Sequence, residues 1–170
     1  LKTIEVVDNS NPLYIQHGNA SLQTAVVHKL TLDALVRTGD LPLCNVKMSY
    51  LRTHNALGTE RTFVPVTGGY IVRPVNVNGN WGTDGSVAIT RNVGKKKLFT
   101  LSNTASYTFN HSVDMANIDG ATDNALSVFK NLYLHEQLSL DYSKNGWNIG
   151  AKARASYSHL AGNRADFNTI

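Results

Sequence analysis

The stretch from Leu132 to His159 limits this chain more than any other. Lys144-Asn145-Gly146-Trp147 puts Asn-Gly at the tip of a two-residue type I′ turn, the pair best suited to two left-handed positions in succession. That turn sets a register. Tyr142 then faces Ile149, Leu140 faces Ala151, Leu138 faces Ala153, Glu136 faces Ala155 and Leu134 faces Tyr157. On the other side Asp141 meets Gly150, Ser139 meets Lys152, Gln137 meets Arg154 and His135 meets Ser156. One face is apolar apart from Glu136, and the other is polar. A slip of one residue would set Leu against Lys, so the agreement of two independent strands predicts a hairpin. The alternation runs for more than about ten residues on each side of the turn. Soluble strands usually run to about 5–6 residues, whereas a tilted strand crossing a bilayer needs about 9–11.

The same two-residue period recurs along the chain. Lys2 to Val7 reads as the end of a strand and Asp8 to Gln23 as a loop rich in turn formers. Thr24 to Arg37 is predicted as a strand with Val26, Leu30, Leu32, Ala34 and Val36 on one face. After a turn at Thr38–Pro42, Cys44, Val46, Met48 and Tyr50 alternate with Asn45, Lys47 and Ser49. Thr53 to Gly69 reads as a long connection. Tyr70 to Arg91 reads as one long strand, with Gly79, Gly82 and Gly85 marking a bulge or bend. After a turn at Asn92–Lys97, Leu98 to Ser112 alternates cleanly. Val113 to Val128 reads as a long polar connection, and Ala161 to Arg164 begins another loop. Connections thus alternate long and short, as in an up-and-down meander with its short turns at one end. Outer-membrane barrels have that arrangement, and a Greek-key sandwich has no reason to. The expected fold is an all-β antiparallel up-and-down meander with long strands, forming part of a transmembrane β-barrel.

Composition fits this reading. Asp, Glu, Lys and Arg make up only 16% of residues, too few for a charge-laced helical surface. The net charge of +4 is modest, and no basic cluster exceeds Lys95-Lys96-Lys97, which gives no reason to expect nucleic acid as a partner. Cys44 is the single cysteine, which excludes an internal disulfide framework and a cysteine metal site. No run of 18 apolar residues is present, which leaves a membrane barrel open because its strands carry a weaker signal. The sequence starts at Leu1 and stops at Ile170 in mid-pattern, without an initiator Met or signal peptide. The expectation is a single piece, residues 1–170, of a longer outer-membrane β-barrel domain.

Asn11-Pro12-Leu13-Tyr14-Ile15 with Gly18-Asn19, followed by His28-Lys29-Leu30-Thr31-Leu32, resembles the barrels of TonB-dependent outer-membrane receptors. The likeness is to the Bacteroidetes outer-membrane β-barrel family. Arg73-Pro74-Val75-Asn76-Val77-Asn78-Gly79-Asn80-Trp81 and Lys95-Lys96-Lys97-Leu98-Phe99-Thr100 look like further segments of that family. Ala20 departs from it, where Pro usually follows Gly-Asn, and Glu136 on an apolar face is a second departure. The resemblance implies solute uptake across the outer membrane of a Gram-negative cell. It implies contact with outer-membrane lipid, and coupling to a TonB-type energy-coupling system through a plug region that this sequence does not display. As an isolated fragment, such a piece would pair with another copy through its bare strand edges.

The charged residues are weighed against that background. Lys29, Asp33, Lys47, Lys152 and Arg154 all fall on polar strand faces. In a barrel they would line the wet lumen and shape selectivity; in a soluble sheet they are simply its solvent face. Tyr142, Trp147 and Tyr157 suit aromatic girdles at the two membrane interfaces, and equally suit cross-strand packing. His17, His28, His54, His111, His135 and His159 show no metal-ligand spacing, so no metal or cofactor is expected. Asp114, Asp119 and Asp123 around Gly120 could coordinate Ca2+ in a loop, although they do not fit the EF-hand pattern. Gly79, Gly82 and Gly85 make no dinucleotide fingerprint, and Gly94-Lys95-Lys96 lacks phosphate-loop spacing. With no nucleophile–base arrangement either, catalysis is not expected. The competing readings are a soluble β-sandwich or lipocalin-like module binding a ligand or carbohydrate, and a surface adhesion or assembly fragment. Apolar residues on the outside of the sheet would separate the first reading from the soluble ones. The transported solute is not encoded in any recognisable loop motif.

Overall fold

A computed structural model describes residues 3–38, 41–94, 96–117 and 124–162. Among these residues there are strands and turns and no helix. Ten strands follow one another: β1 (Val7–Asp8), β2 (Tyr14–His17), β3 (Val26–Thr38), β4 (Leu41–His54), β5 (Ala56–Val64), β6 (Gly69–Val77), β7 (Asn80–Val93), β8 (Phe99–Asn117), β9 (Asn124–Lys144) and β10 (Trp147–Gly162). They form a six-stranded sheet in the order β10-β9-β8-β7-β4-β3 and a four-stranded sheet in the order β1-β2-β6-β5. Every pair in the larger sheet is antiparallel. The fold is all-β, as the alternation predicts.

The hairpin of β9 and β10 has the predicted register at every position from Tyr142↔Ile149 to Leu134↔Tyr157. Asn145 and Gly146 adopt φ of 49° and 82°, the two left-handed positions of a type I′ turn. The strands on either side of the other two predicted turns also pair as hairpins, β3 with β4 and β7 with β8. Gly39, Asp40 and Lys95, which belong to those turns, lie outside the described residues. All three hairpin ends fall at the same end of the sheet. The strands are long: β3 has 13 residues, β4 and β7 have 14, β10 has 16, β8 has 19 and β9 has 21.

Four sequence expectations are corrected. Thr53 to Gly69 is not a bare connection, because it holds β5. Its alternation is hidden by Gly58, Thr59, Glu60 and Arg61. Tyr70 to Arg91 is not one strand; β6 and β7 belong to different sheets, and the break falls at Asn78-Gly79. Gly79 has φ of 109°, and a Cβ there would meet Val113 Cγ2 at 2.9 Å, so both the backbone and the space call for glycine. Val113 to Val128 is mostly strand, since β8 and β9 stay paired out to Asn117↔Asn124. Asp8 to Gln23 contains β2, which pairs in parallel with β6, so the smaller sheet is mixed rather than purely antiparallel. Parallel pairing joins segments distant in sequence, and no local turn signals it.

Asparagines carry the chain between the two sheets. Asn76 Nδ2 donates to Gln23 O at 2.9 Å and to Asn55 O at 2.8 Å, while its Oδ1 accepts from Gln23 N at 2.7 Å. Asn78 Oδ1 accepts from Asn55 N at 2.9 Å. Asn80 Oδ1 accepts from Val113 N at 2.9 Å, and its Nδ2 donates to Val113 O at 3.3 Å. These amides replace ladder bonds where the backbone leaves one sheet for the other. Asn19, only 7% exposed, donates through Nδ2 to Pro74 O at 2.9 Å and accepts from Arg73 at 3.3 Å. Pro74 sits just past the end of the β2–β6 pairing, where a ladder donor is no longer required. Thus Gly18-Asn19 and Arg73-Pro74, two of the segments that carry the family resemblance, touch each other.

Asn19→Ala is expected to lower unfolding stability by about 1–3 kcal/mol, because it leaves a covered carbonyl without its donor. The shift of the urea midpoint of the folded protein measures it. Gly146→Ala is expected to cost about 1 kcal/mol by the same measurement, through its left-handed φ alone.

Candidate functional site

The pleat of the six-stranded sheet gives two faces of opposite character. The first carries Leu30, Leu32, Val36, Met48, Tyr50, Val87, Ile89, Phe99, Leu101, Leu134, Leu138, Leu140 and Ile149, all of them exposed. Leu30 is 72% exposed and Leu138 is 45%. The second face is mostly Ser, Thr, Asn and Gln with Lys29, Asp33, Lys47, Asp84, Lys152 and Arg154, interrupted by Val27, Leu35, Leu51 and Tyr133, and its middle is the more covered of the two. Ser139 is 7% exposed and Ser127 only 2%. The buried apolar side chains among the described residues are Val72, Val77 and Val113, near where the two sheets meet. This arrangement inverts a water-soluble core, in which the apolar face would be the covered one.

Rows across the sheet can be followed through the register. The apolar rows run from Phe99↔Tyr142 at the short-turn end to Phe109↔Leu132 at the other. That is ten residue steps on β8, or about 34 Å of strand. At the usual barrel tilt this becomes close to the ~25 Å apolar band of outer-membrane barrels. Aromatic rings mark both limits. Phe99 and Tyr142 lie 5.0 Å apart at one end. At the other, Trp81 packs against Tyr50 (6.2 Å), Phe109 (5.2 Å) and His111 (5.7 Å, stacked). Tyr107 lies one row inward and bonds Thr83 Oγ1 through its hydroxyl at 3.1 Å.

The aromatic residues singled out from the sequence fit this pattern unevenly. Tyr142 is half of the Phe99 pair. Trp147 stands 71% exposed beside the Asn145-Gly146 turn. Tyr157 lies toward the opposite end and stacks on His159 at 6.5 Å. Phe99, Tyr50, Trp81 and Phe109 were missed. Each lies near the end of an alternating run, but only the cross-strand register shows that they share a level.

Glu136 does lie on the apolar face, and its Oε1 accepts from Asn103 Nδ2 at 3.0 Å. Asn103 is on that same face, opposite Leu138. Ala105 and Ala155 flank Glu136 in its row, and Gly85 lies in the next. These small residues leave a shallow groove of about 570 Å³, lined chiefly by apolar surface.

The five charged residues expected to line the polar face fall into two groups. Asp33 and Lys47 face one another and make an ion pair of 3.5 Å. Lys29 lies on the same edge strand, opposite Leu51. Lys152 and Arg154 lie on β10, at the far edge of the sheet; Lys152 faces Ser139, and Arg154 Nε donates to Gln137 Oε1 at 2.8 Å. Five strand spacings of about 4.8 Å separate the two edges along the sheet, so the structure does not gather the five residues into one site. Between them the face presents hydroxyls, amides and Asp84, which accepts from Ser49 Oγ at 2.6 Å.

The smaller sheet covers one end of this face. Asp114 Oδ1 accepts from Thr59 N at 2.9 Å and from Met115 N at 2.8 Å, which ties β5 to β8. Asp114 therefore has a structural employment, while Asp119, Gly120 and Asp123 lie outside the described residues. Asp8 in the smaller sheet is held below the usual carboxylate range, first by the backbone N–H of Ser10, which donates at 3.1 Å. No group of three or more His, Cys, Asp or Glu that could hold a metal occurs among the described residues.

Comparison with known protein families, curated proteins and solved structures finds no match. The family resemblance therefore rests on the sequence motifs alone.

Asp33 and Lys47 have side chains 56% and 57% exposed, so their attraction is screened by water. Asp33→Asn is expected to change stability by less than about 1 kcal/mol. A double-mutant cycle with Lys47→Gln, read by urea unfolding, measures the coupling.

Proposed function

We propose that this chain is a segment of an outer-membrane transport barrel of the TonB-dependent receptor type. It contributes a wall through which a solute passes, and it does no covalent chemistry. The apolar face meets outer-membrane lipid and the polar face lines the wet interior. The observation that carries this reading is the exposed apolar band, running from Phe99 to Phe109 on β8 and edged by aromatic rings, on the face opposite the more covered polar residues; at the tilt of about 45° usual in barrels such a length would span the ~25 Å apolar band. A soluble sandwich or lipocalin-like binding module is less well supported. It would place those leucines and valines in a closed core, whereas the buried apolar set among the described residues is three valines.

The motifs Asn11 to Ile15, Gly18-Asn19 and Arg73 to Trp81 supply the word receptor, and through it coupling to a TonB-type system by way of a plug. The covered polar face supplies selectivity for the solute, with Lys29, Asp33 and Lys47 at one side and Lys152 and Arg154 at the other. Large outer-membrane transporters have about 22 strands, and on this reading the outer edges of β3 and β10 pair with further strands of the same wall. In an isolated piece those edges would pair with a second copy.

Leu138→Arg and Lys152→Gln separate the two faces. Arg near the bilayer midplane costs roughly 2–4 kcal/mol, so Leu138→Arg is expected to impair folding into membranes. Lys152→Gln is expected to assemble normally and at most to alter uptake. Heat-modifiable migration of the two variants, folded into lipid vesicles as the full-length protein, reads the difference. Equal tolerance of both would mean that the apolar face does not meet lipid.

A further inference from the structure

One row beyond the last apolar row, the same face changes character. His28 faces Arg52, Arg52 faces Trp81, Trp81 faces His111 and His111 faces Lys130. Five neighbouring strands, β3, β4, β7, β8 and β9, each give one residue to this row. Four of the five are basic or can become so, and the fifth is the tryptophan at the centre of the aromatic cluster. Two residues inward along each strand the row reads Leu30, Tyr50, Thr83, Phe109 and Leu132. The change from apolar to basic thus takes one step of the pleat.

Arg52 and Lys130 are exposed, and among the described residues no carboxylate pairs with either of them. Glu136 is the one carboxylate on this face of the described sheet. It lies six residues from Lys130 on the same strand, about 20 Å away, and is engaged by Asn103. His111 is held in place. Its Nδ1 lies 2.9 Å from Gly79 O, and a carbonyl can only accept, so Nδ1 donates and Nε2 is left for another partner. Trp81 stacks on the imidazole with 14° between the planes. Opposite Lys130 stands Ala161, whose small side chain leaves a recess of about 350 Å³ bordered by His111, Lys130, Val128, Ala161 and Gly162. The recess has basic groups in its wall beside apolar side chains, and it opens at the edge of the apolar band.

We propose that this row binds the phosphate headgroup of an anionic membrane lipid. The headgroup sits at the His111–Lys130 recess; Arg52 and His28, three and four strand spacings of about 4.8 Å from Lys130, add positive potential along the same level, and the acyl chains lie along the apolar face. The inference rests on the lipid-facing reading of that face. The charge, the interfacial level set by Trp81 and the adjoining apolar surface together fit an amphiphile with an anionic head.

Trp81 supplies the probe. The full-length protein with Trp147→Phe, and with any tryptophans outside this chain likewise replaced, is folded into phosphatidylcholine vesicles containing bromine-labelled phosphatidylglycerol or bromine-labelled phosphatidylcholine. Quenching of Trp81 gives the relative affinity of the two lipids beside the row. Phosphatidylglycerol is expected to be preferred, and each cation removed in Arg52→Gln and Lys130→Gln should reduce the preference about fivefold. Lys152→Gln, on the other face, should leave it unchanged. Lys130→Gln alone keeps the test open should Arg52→Gln fold poorly. Equal quenching by the two lipids, or an unchanged preference in the variants, would overturn the proposal while leaving the lipid-facing reading intact. Equal quenching by the two lipids, together with saturable binding of inorganic phosphate to the detergent-folded protein that Lys130→Gln weakens, would overturn it in favour of a free-anion site. Failure of the parent protein to enter vesicles at all would overturn the lipid-facing reading and this proposal with it.

Discussion

The cross-strand ladder is the constraint on which the rest of the structure depends. Backbone pairing fixes which residues stand level, and the pleat sends alternate residues to opposite faces. A slip of one residue in β9 would exchange Leu138 and Leu140 for Ser139 and Asp141 on the same surface. The Asn145-Gly146 turn forbids that slip at one hairpin, and the neighbouring strands repeat the same parity through five consecutive pairings. Continuous apolar and polar surfaces follow from this shared parity.

Those surfaces are held apart energetically as well as geometrically. Backbone hydrogen bonds within the sheet are satisfied whatever covers its faces. Among the described residues little covers the apolar side chains, which the proposed reading assigns to lipid. The polar face keeps its groups paired internally through Ser49 with Asp84, Gln137 with Arg154 and Asp33 with Lys47. Even the misplaced Glu136 follows this rule, since Asn103 supplies a donor on the same face. Asn45 Oδ1 and Ser127 Oγ on the polar side are covered and have no hydrogen-bond partner among the described residues, two places that call for a water or another polar group.

Amide side chains join the second sheet to the first. Asn19, Asn76, Asn78 and Asn80 each take over hydrogen bonds that the ladder cannot make where the chain turns out of one sheet into the other. Asp114 does the same from β8 to β5. A short amide offers a donor and an acceptor in one compact group, which suits a junction where consecutive backbone groups need partners from different directions. This explains why a stretch rich in asparagine and glycine, weak as a strand on its own, sits at the most constrained part of the fold.

Much of the larger sheet was legible in the sequence, because β3, β4, β7, β8, β9 and β10 each carry their own two-residue period and short turns pair them locally. The Asn-Gly turn even gave the register residue by residue. The smaller sheet was not legible. β5 lacks alternation, β2 is four residues long, and its parallel pairing with β6 joins segments more than 50 residues apart. The break between β6 and β7 depends on a positive φ at Gly79 and on Val113 across from it, a neighbour that no local pattern reveals. Of the candidate site, the sequence determined which residues point to which face, since parity is a local property. Only the tertiary structure decided which strands lie side by side. That choice aligned His28, Arg52, Trp81, His111 and Lys130 in one row and left Lys152 and Arg154 a sheet's width from Asp33 and Lys47.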